Sequence, residues 1–143
     1  MPDYGDCRVA EIQASAQACF DALTDFEALP SWQGAVRSVS VLERDDTGRG
    51  VVVEYEVDAR VKRVRYRLRQ VYDEPHRLGC EYLGGDFRDF SGEWRFLDRG
   101  AFTRVELDLR IDPGRFVPGP VRAVISQVVM GRALADLKRH VEG

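Results

Sequence analysis

Histidine and cysteine are scarce in this chain, with two of the first and three of the second in 143 residues. None of them shows HxH, HExxH or CxxC spacing, so neither a metal site nor a cofactor is expected. The GxSxG elbow, the P-loop and the dinucleotide fingerprint are also missing, which removes the enzyme classes that announce themselves by motif. No apolar run approaches the length of a bilayer span, so no stable membrane insertion is expected. The opening residues, Met1-Pro2-Asp3-Tyr4-Gly5-Asp6, are acidic and lack the apolar core of a signal peptide, which leads to the expectation of a cytoplasmic protein. Positive charge is not in excess either. The net charge of −3 argues against nucleic acid or an anionic membrane as the main partner. The cysteines, Cys7, Cys19 and Cys80, are odd in number and far apart. They read as reduced thiols, each a small buried hydrophobe among apolar neighbours.

What is present is alternation. The chain is 44% hydrophobic and 31% charged, a globular composition, and its length suits one domain over residues 1–143. Cys7 to Ala14 reads as an irregular half-buried strand carrying Val9 and Ile12. Ser15 is placed as the N-cap of a short helix, Ala16 to Leu23, with Cys19, Phe20 and Leu23 on one face. Thr24-Asp25-Phe26-Glu27 matches a capping box, predicting a second short helix from about Asp25 to Leu29 that Pro30 ends. Strands follow from Ala35 to Arg44, from Gly50 to Ala59 and from Arg63 to Tyr72. Further strands run from Leu78 to Tyr82, from Phe90 to Phe96 and from Thr103 to Ile111, separated by turn signals. Glu54, Glu56 and Asp58 form the outer row of one strand and Arg63, Arg65, Arg67 and Arg69 that of the next. A hairpin would set acids against bases, so the arginine row reads as a neutralised, solvated face rather than a nucleic-acid surface.

The last stretch, Pro118 to Glu142, reads as one long helix. Ala123, Gln127, Met130, Leu134, Leu137 and Val141 form a stripe that should face the sheet. Val121, Val124, Ile125, Val128 and Val129 make the first half apolar all round, so that half needs further cover. This cover could be the segment around Phe116, the short helices, a ligand, a second subunit or a membrane surface. Gln127 needs a hydrogen-bond partner, and a strand side chain, a water and a ligand all remain open. The inward rows supply Trp32, Tyr55, Tyr66, Tyr72, Tyr82, Phe90 and Trp94. Apolar walls with a few inward hydroxyls are what a small-molecule pocket requires.

Segregated strands and helices indicate an α+β domain. The order of elements resembles the helix-grip fold of the START-like (SRPBCC) superfamily, which includes polyketide cyclases, lipid-transfer domains and coenzyme-Q-binding proteins. Ile12-Gln13-Ala14-Ser15-Ala16 and Asp25-Phe26-Glu27-Ala28-Leu29-Pro30-Ser31-Trp32 carry the resemblance at the start. Gly85-Asp86-Phe87-Arg88-Asp89-Phe90-Ser91-Gly92-Glu93-Trp94-Arg95-Phe96 is similar to the G-x-F-x-x-L-x-G-x-W-x-F stretch of the coenzyme-Q-binding branch, and Ala133-Leu134-Ala135-Asp136-Leu137-Lys138 to the family's closing helix. The resemblance implies a curved antiparallel sheet of six or seven strands around the C-terminal helix, two short helices after the first strand, and a deep cavity between sheet and helix. The expected cavity residues are Trp32, Val53, Tyr55, Val57, Tyr66, Leu68, Tyr82, Phe90, Trp94, Val105 and Leu107, with Val124, Gln127, Val128 and Met130 from the helix. The expected function is binding or carriage of a hydrophobic small molecule such as a lipid, isoprenoid quinone or polyketide-like compound, by a monomer or homodimer. The alternatives are an aromatase/cyclase-type enzyme using Tyr, Arg and water, and a ribosome- or protein-interaction module.

Overall fold

Six strands follow one another as antiparallel neighbours, and the first strand of the chain closes onto the last. The computed structural model describes residues 5–58, 63–112, 114 and 119–143, and at 5, 6, 119 and 121–130 the description stops at the backbone. The elements are β1 (Gly5–Ile12), α1 (Ala16–Thr24), a 3-10 helix (Phe26–Ser31), β2 (Val36–Arg44), β3 (Gly50–Asp58), β4 (Arg63–Asp73), β5 (Arg77–Gly85), β6 (Asp89–Asp98), β7 (Thr103–Asp112) and α2 (Gly119–Glu142). They form one seven-stranded curved sheet in the order β1-β7-β6-β5-β4-β3-β2, all antiparallel, with α2 as its helix: the helix-grip arrangement. The sheet edges are β1 and β2, and α1 with the 3-10 helix connects them.

The period-2 pattern becomes pairing as expected. Glu54 stands opposite Arg67, Glu56 opposite Arg65 and Asp58 opposite Arg63. Arg67 Nε meets Glu54 at 2.7 Å. The ladder continues across the outer face, where Arg95 reaches Glu106 at 3.0 Å and Glu93 at 2.5 Å. Arg77 also pairs with Glu93. These pairs are solvated and each contributes about 0–1 kcal/mol, so they set register and charge balance more than stability.

Three local expectations are corrected. Thr24 does not open a capping box. It is the last residue of α1, and its hydroxyl donates back to the Phe20 carbonyl at 3.0 Å, as a helical threonine can do to the residue four before it. Glu27 instead pairs with Arg44 at 2.5 Å. The following segment is a 3-10 helix that contains Pro30 rather than stopping at it. On β1, Val9 faces solvent at 43% exposure and Cys7 is exposed, because pairing with β7 turns Ala10 and Ile12 inward beside Val105 and Thr103. The Ser15 cap is as expected, accepting from Ala18 N at 3.0 Å.

The core has two main parts. Ile12, Cys19, Phe20, Leu23, Phe96, Val105, Leu134 and Leu137 pack α1 and the second half of α2 onto the β1-β7-β6 end of the sheet. Tyr66, Leu68, Phe87, Phe90, Leu107 and Leu109 form the second cluster toward β3 and β4. Trp94 touches both. The second half of α2 is tied down by polar contacts as well: Lys138 Nζ donates to the Glu11 carbonyl at 2.7 Å, and Gln13 N donates to Glu142 at 2.9 Å. No helix among the described residues is long and apolar enough to cross a membrane.

Candidate functional site

A cavity of about 120 Å3 lies over the concave face of β3 to β7. Tyr55 and Val57 of β3 contribute to its wall, with Tyr66, Leu68 and Gln70 of β4. Leu78 and Cys80 come from β5, Phe90, Gly92 and Trp94 from β6, and Leu107 and Leu109 from β7. The remaining wall is Leu23 of α1, Leu29, Gln33, Ala35 and Val36 around the 3-10 helix, and Ala133 of α2. Gly92 helps to keep the space open. It stands on the inward row between Phe90 and Trp94, and a Cβ there would fall 2.6 Å from Leu109 Cδ1 and 3.6 Å from Cys80 Sγ.

The loop after the 3-10 helix reaches the cavity because α2 holds it. The buried Asp136 carboxylate accepts from Gly34 N at 2.8 Å and from Arg139 at 2.9 Å. Gln33 Nε2 donates to the Ala133 carbonyl at 3.1 Å. The two bonds from Gly34 and Gln33 tie this loop to α2, and Arg139 holds the Asp136 carboxylate from within the helix.

Of the expected cavity residues, Tyr55, Val57, Tyr66, Leu68, Phe90, Trp94 and Leu107 are brought together here. Four others are placed elsewhere. Val53 and Val105 are fully buried in packed clusters of their own. Tyr82 turns its hydroxyl to the Phe87 carbonyl at 2.6 Å. Trp32 is half-buried and stacks on His140 of α2, with ring centroids 4.4 Å apart and planes 4° from parallel. The side chains of Val124, Gln127, Val128 and Met130 lie outside the described residues, as does the stretch around Phe116. The sequence pattern places Leu29 in a short helix and Ala35 and Val36 at the start of a strand, with no sign that they reach the cavity, and Gln33 lies in the loop between them. Gln70 and Cys80 stood on inward rows and were detectable by parity alone.

Apart from Glu93, the titratable groups of the described cavity wall are held neutral. Burial pushes the Tyr55 and Tyr66 hydroxyls well above the usual tyrosine range. Burial also raises the Cys80 thiol to about 12, while its hydrogen bond to the Gly92 carbonyl at 3.3 Å opposes the rise. The one carboxylate among the described lining residues, Glu93, is engaged by Arg77 and Arg95. The site therefore offers apolar surface, aromatic faces and uncharged hydrogen-bonding groups. Among the described residues, no group of three or more His, Cys, Asp or Glu is arranged to hold a metal ion.

Comparison with known proteins agrees with this geometry at the level of fold. No curated protein matches the sequence. A START superfamily protein from Mycobacterium smegmatis superposes with a TM-score of 0.86 at 22% identity, covering 96% of this chain and 97% of its own. A protein from Thermus thermophilus gives 0.80 at 24% identity, with 96% of both chains covered. The ZhuI aromatase/cyclase from Streptomyces sp. R1128 gives 0.75 at 20% identity, covering 93% of this chain and 88% of the other. At the level of sequence, the family model described as polyketide cyclase/dehydrase and lipid transport matches residues 12–138. The chain, nearly all of it within that match and folded as a helix grip, belongs to the polyketide cyclase/dehydrase and lipid transport family.

Proposed function

We propose that this protein binds, and carries, a hydrophobic small molecule in the cavity between the sheet and α2. The observation that carries the reading is the unfilled space itself. The space is about 120 Å3, partly open and walled mainly by apolar side chains, which is the form of a small-molecule pocket rather than of a packed core. The other end of the same sheet shows that this chain can fill its core. A single ring entering the space would bury about 150–250 Å2 of apolar surface, worth roughly 4–6 kcal/mol before ordering costs.

Size narrows the occupant. A cavity of about 150 Å3 holds benzene, so the described space takes one ring or one chain end. A longer ligand of the lipid, isoprenoid-quinone or polyketide kind would extend beyond the described cavity. Family membership supports an apolar ligand of this general sort.

A cyclase function would use the same cavity, and the fold of an aromatase/cyclase is similar. Such chemistry needs a proton acceptor near its working pH. Burial shifts the tyrosine and thiol groups here the other way, toward the protonated form. The tyrosine and thiol groups therefore do not supply that acceptor, and we take binding as the first reading and cyclase chemistry as the second.

Native mass spectrometry of gently purified protein, followed by solvent extraction, tests the proposal. A bound apolar adduct, or saturable uptake of apolar probes, is the expected result. A crystal structure with the cavity filled by side chains, together with no uptake of such probes, would overturn it.

A further inference from the structure

Four tyrosines point to the concave side from the β3, β4 and β5 strands, and they divide into two kinds. Tyr72 donates its hydroxyl proton to the Gly50 carbonyl at 2.5 Å, and Tyr82 donates to the Phe87 carbonyl at 2.6 Å. Both are tied into the backbone. Tyr55 and Tyr66 are not. They are cross-strand partners on β3 and β4, with rings 5.4 Å apart and 21° from parallel, and both residues line the cavity. Tyr66 is only 5% exposed, and among the described residues its hydroxyl has no hydrogen-bond partner. Tyr55 Oη accepts from Gln70 Nε2 at 3.1 Å, and Gln70 is itself 7% exposed.

That one bond sets the direction of the cluster. An amide N–H donating to Tyr55 Oη leaves the Tyr55 proton pointing elsewhere, and no acceptor among the described residues takes it. The Tyr66 hydroxyl bonds to no described residue and is not sealed off as a buried orphan, so it is open to a partner that enters the cavity, and the Tyr55 proton is free in the same way. The described lining contains no Lys, Arg or His to balance an anion. A carboxylate placed here would be a buried unpaired charge, which is far more costly than a neutral acceptor.

We infer that Tyr66 and Tyr55, with Tyr55 oriented by Gln70, form a recognition site that donates to one acceptor oxygen of an uncharged ligand, selecting a ring-borne carbonyl over a carboxylate. The inference rests on the binding function proposed above and adds the polar end of the ligand. Gln70 is a positioning residue: it acts through Tyr55. Burial strengthens the arrangement by holding both hydroxyls protonated across the physiological range.

The test compares three single-ring probes, acetophenone, ethylbenzene and benzoate, by calorimetry and Trp94 fluorescence. Wild type is set beside Tyr66→Phe, Tyr55→Phe and Gln70→Met. Tyr66→Phe keeps the ring and its packing, so folding is preserved, and Tyr55→Phe gives a second variant of the same kind. The readout is the ratio of the ethylbenzene to the acetophenone dissociation constant. Loss of a buried hydrogen bond should lower this ratio by about 3–10-fold in Tyr66→Phe. A smaller fall is expected in Gln70→Met, which a loss of packing alone would not produce because it weakens both probes together. Benzoate should not bind at concentrations that saturate acetophenone. If both neutral probes bind but the ratio is unchanged in Tyr66→Phe and Tyr55→Phe, or if benzoate binds as well as acetophenone, the recognition site is overturned while the binding function stands. If no neutral probe enters the wild-type protein, the binding function falls and the recognition site with it.

Discussion

At one end of the sheet, Ile12, Phe20, Phe96, Val105 and Leu137 are no more than 2% exposed, and Phe20 meets Phe96 edge-on at 6.1 Å. At the other end, Tyr55, Tyr66, Gln70, Cys80 and Trp94 surround a space of about 120 Å3. Both ends are built on the inward face of one continuous antiparallel sheet, the first on β1, β7 and β6 and the second reaching across to β3 and β4. What differs is the filling. Phenylalanines from α1 and β6 interlock at the first end, whereas Gly92 and uncharged polar groups stand at the second. One end holds the fold and the other is left to hold something else.

Removing a side chain from the filled end should do the greatest damage. Leu137→Ala is expected to cost about 2–5 kcal/mol in urea unfolding, by lost burial and a new void, while leaving probe affinity of the folded fraction unchanged. An equal loss of affinity would break the separation between the two ends.

Alkaline pH probes both ends at once. Burial raises the Cys19 thiol to about 11 and the Cys80 thiol to about 12 from the ordinary value of 9.0. A raised acid pKa means that above pH 9 the folded chain holds protons the unfolded chain has lost. Stability is then fully present below about pH 9 and falls toward pH 11–12, by on the order of 2 kcal/mol per thiol at pH 11. Cys80→Ala should flatten part of that fall in denaturation curves taken at pH 8 to 11.

The thiols also allow one substitution to be tried in both places. Cys19 is fully buried in the packed end and Cys80 lines the cavity. Cys19→Leu should destabilise by about 1–3 kcal/mol through overpacking. Cys80→Leu should be neutral or stabilising by up to about 1 kcal/mol, and should weaken binding of apolar probes. Thermal melts of the pair with the same sign and size would remove the contrast. The smallest effect is expected outside both ends: Arg67→Ala on the outer ladder should change stability by less than about 1 kcal/mol and leave binding unaltered.

Much of this was readable in the chain, and the failures have identifiable causes. The seven strands and the closing helix follow from alternation and turn residues. Charge rows alone set β3 beside β4. Local pattern failed where a distant partner decides. Cys7 and Val9 face outward because β7, about a hundred positions away in the chain, sets the parity of β1. Thr24 serves the helix behind it instead of the one ahead, although both use the same side chain. The cavity was half legible. Tyr55, Tyr66, Leu68, Phe90, Trp94 and Leu107 were marked by strand period, whereas Gln33 and Ala35 reach it through a loop that Asp136 pins from α2 at Gly34, flanked by Leu29 of the 3-10 helix and Val36 of β2. Inward parity alone also could not separate Tyr82, bound to its own neighbour, from Tyr66, which faces the cavity.

The most direct test is a titration of methyl-labelled protein with ethylbenzene, followed by NMR. Saturable shifts at Leu68, Leu107 and Leu109, with Leu134 and Leu137 unmoved, are the expected result. No saturable shift, or shifts centred on Leu134 and Leu137, would contradict the assignment of the cavity as the binding site.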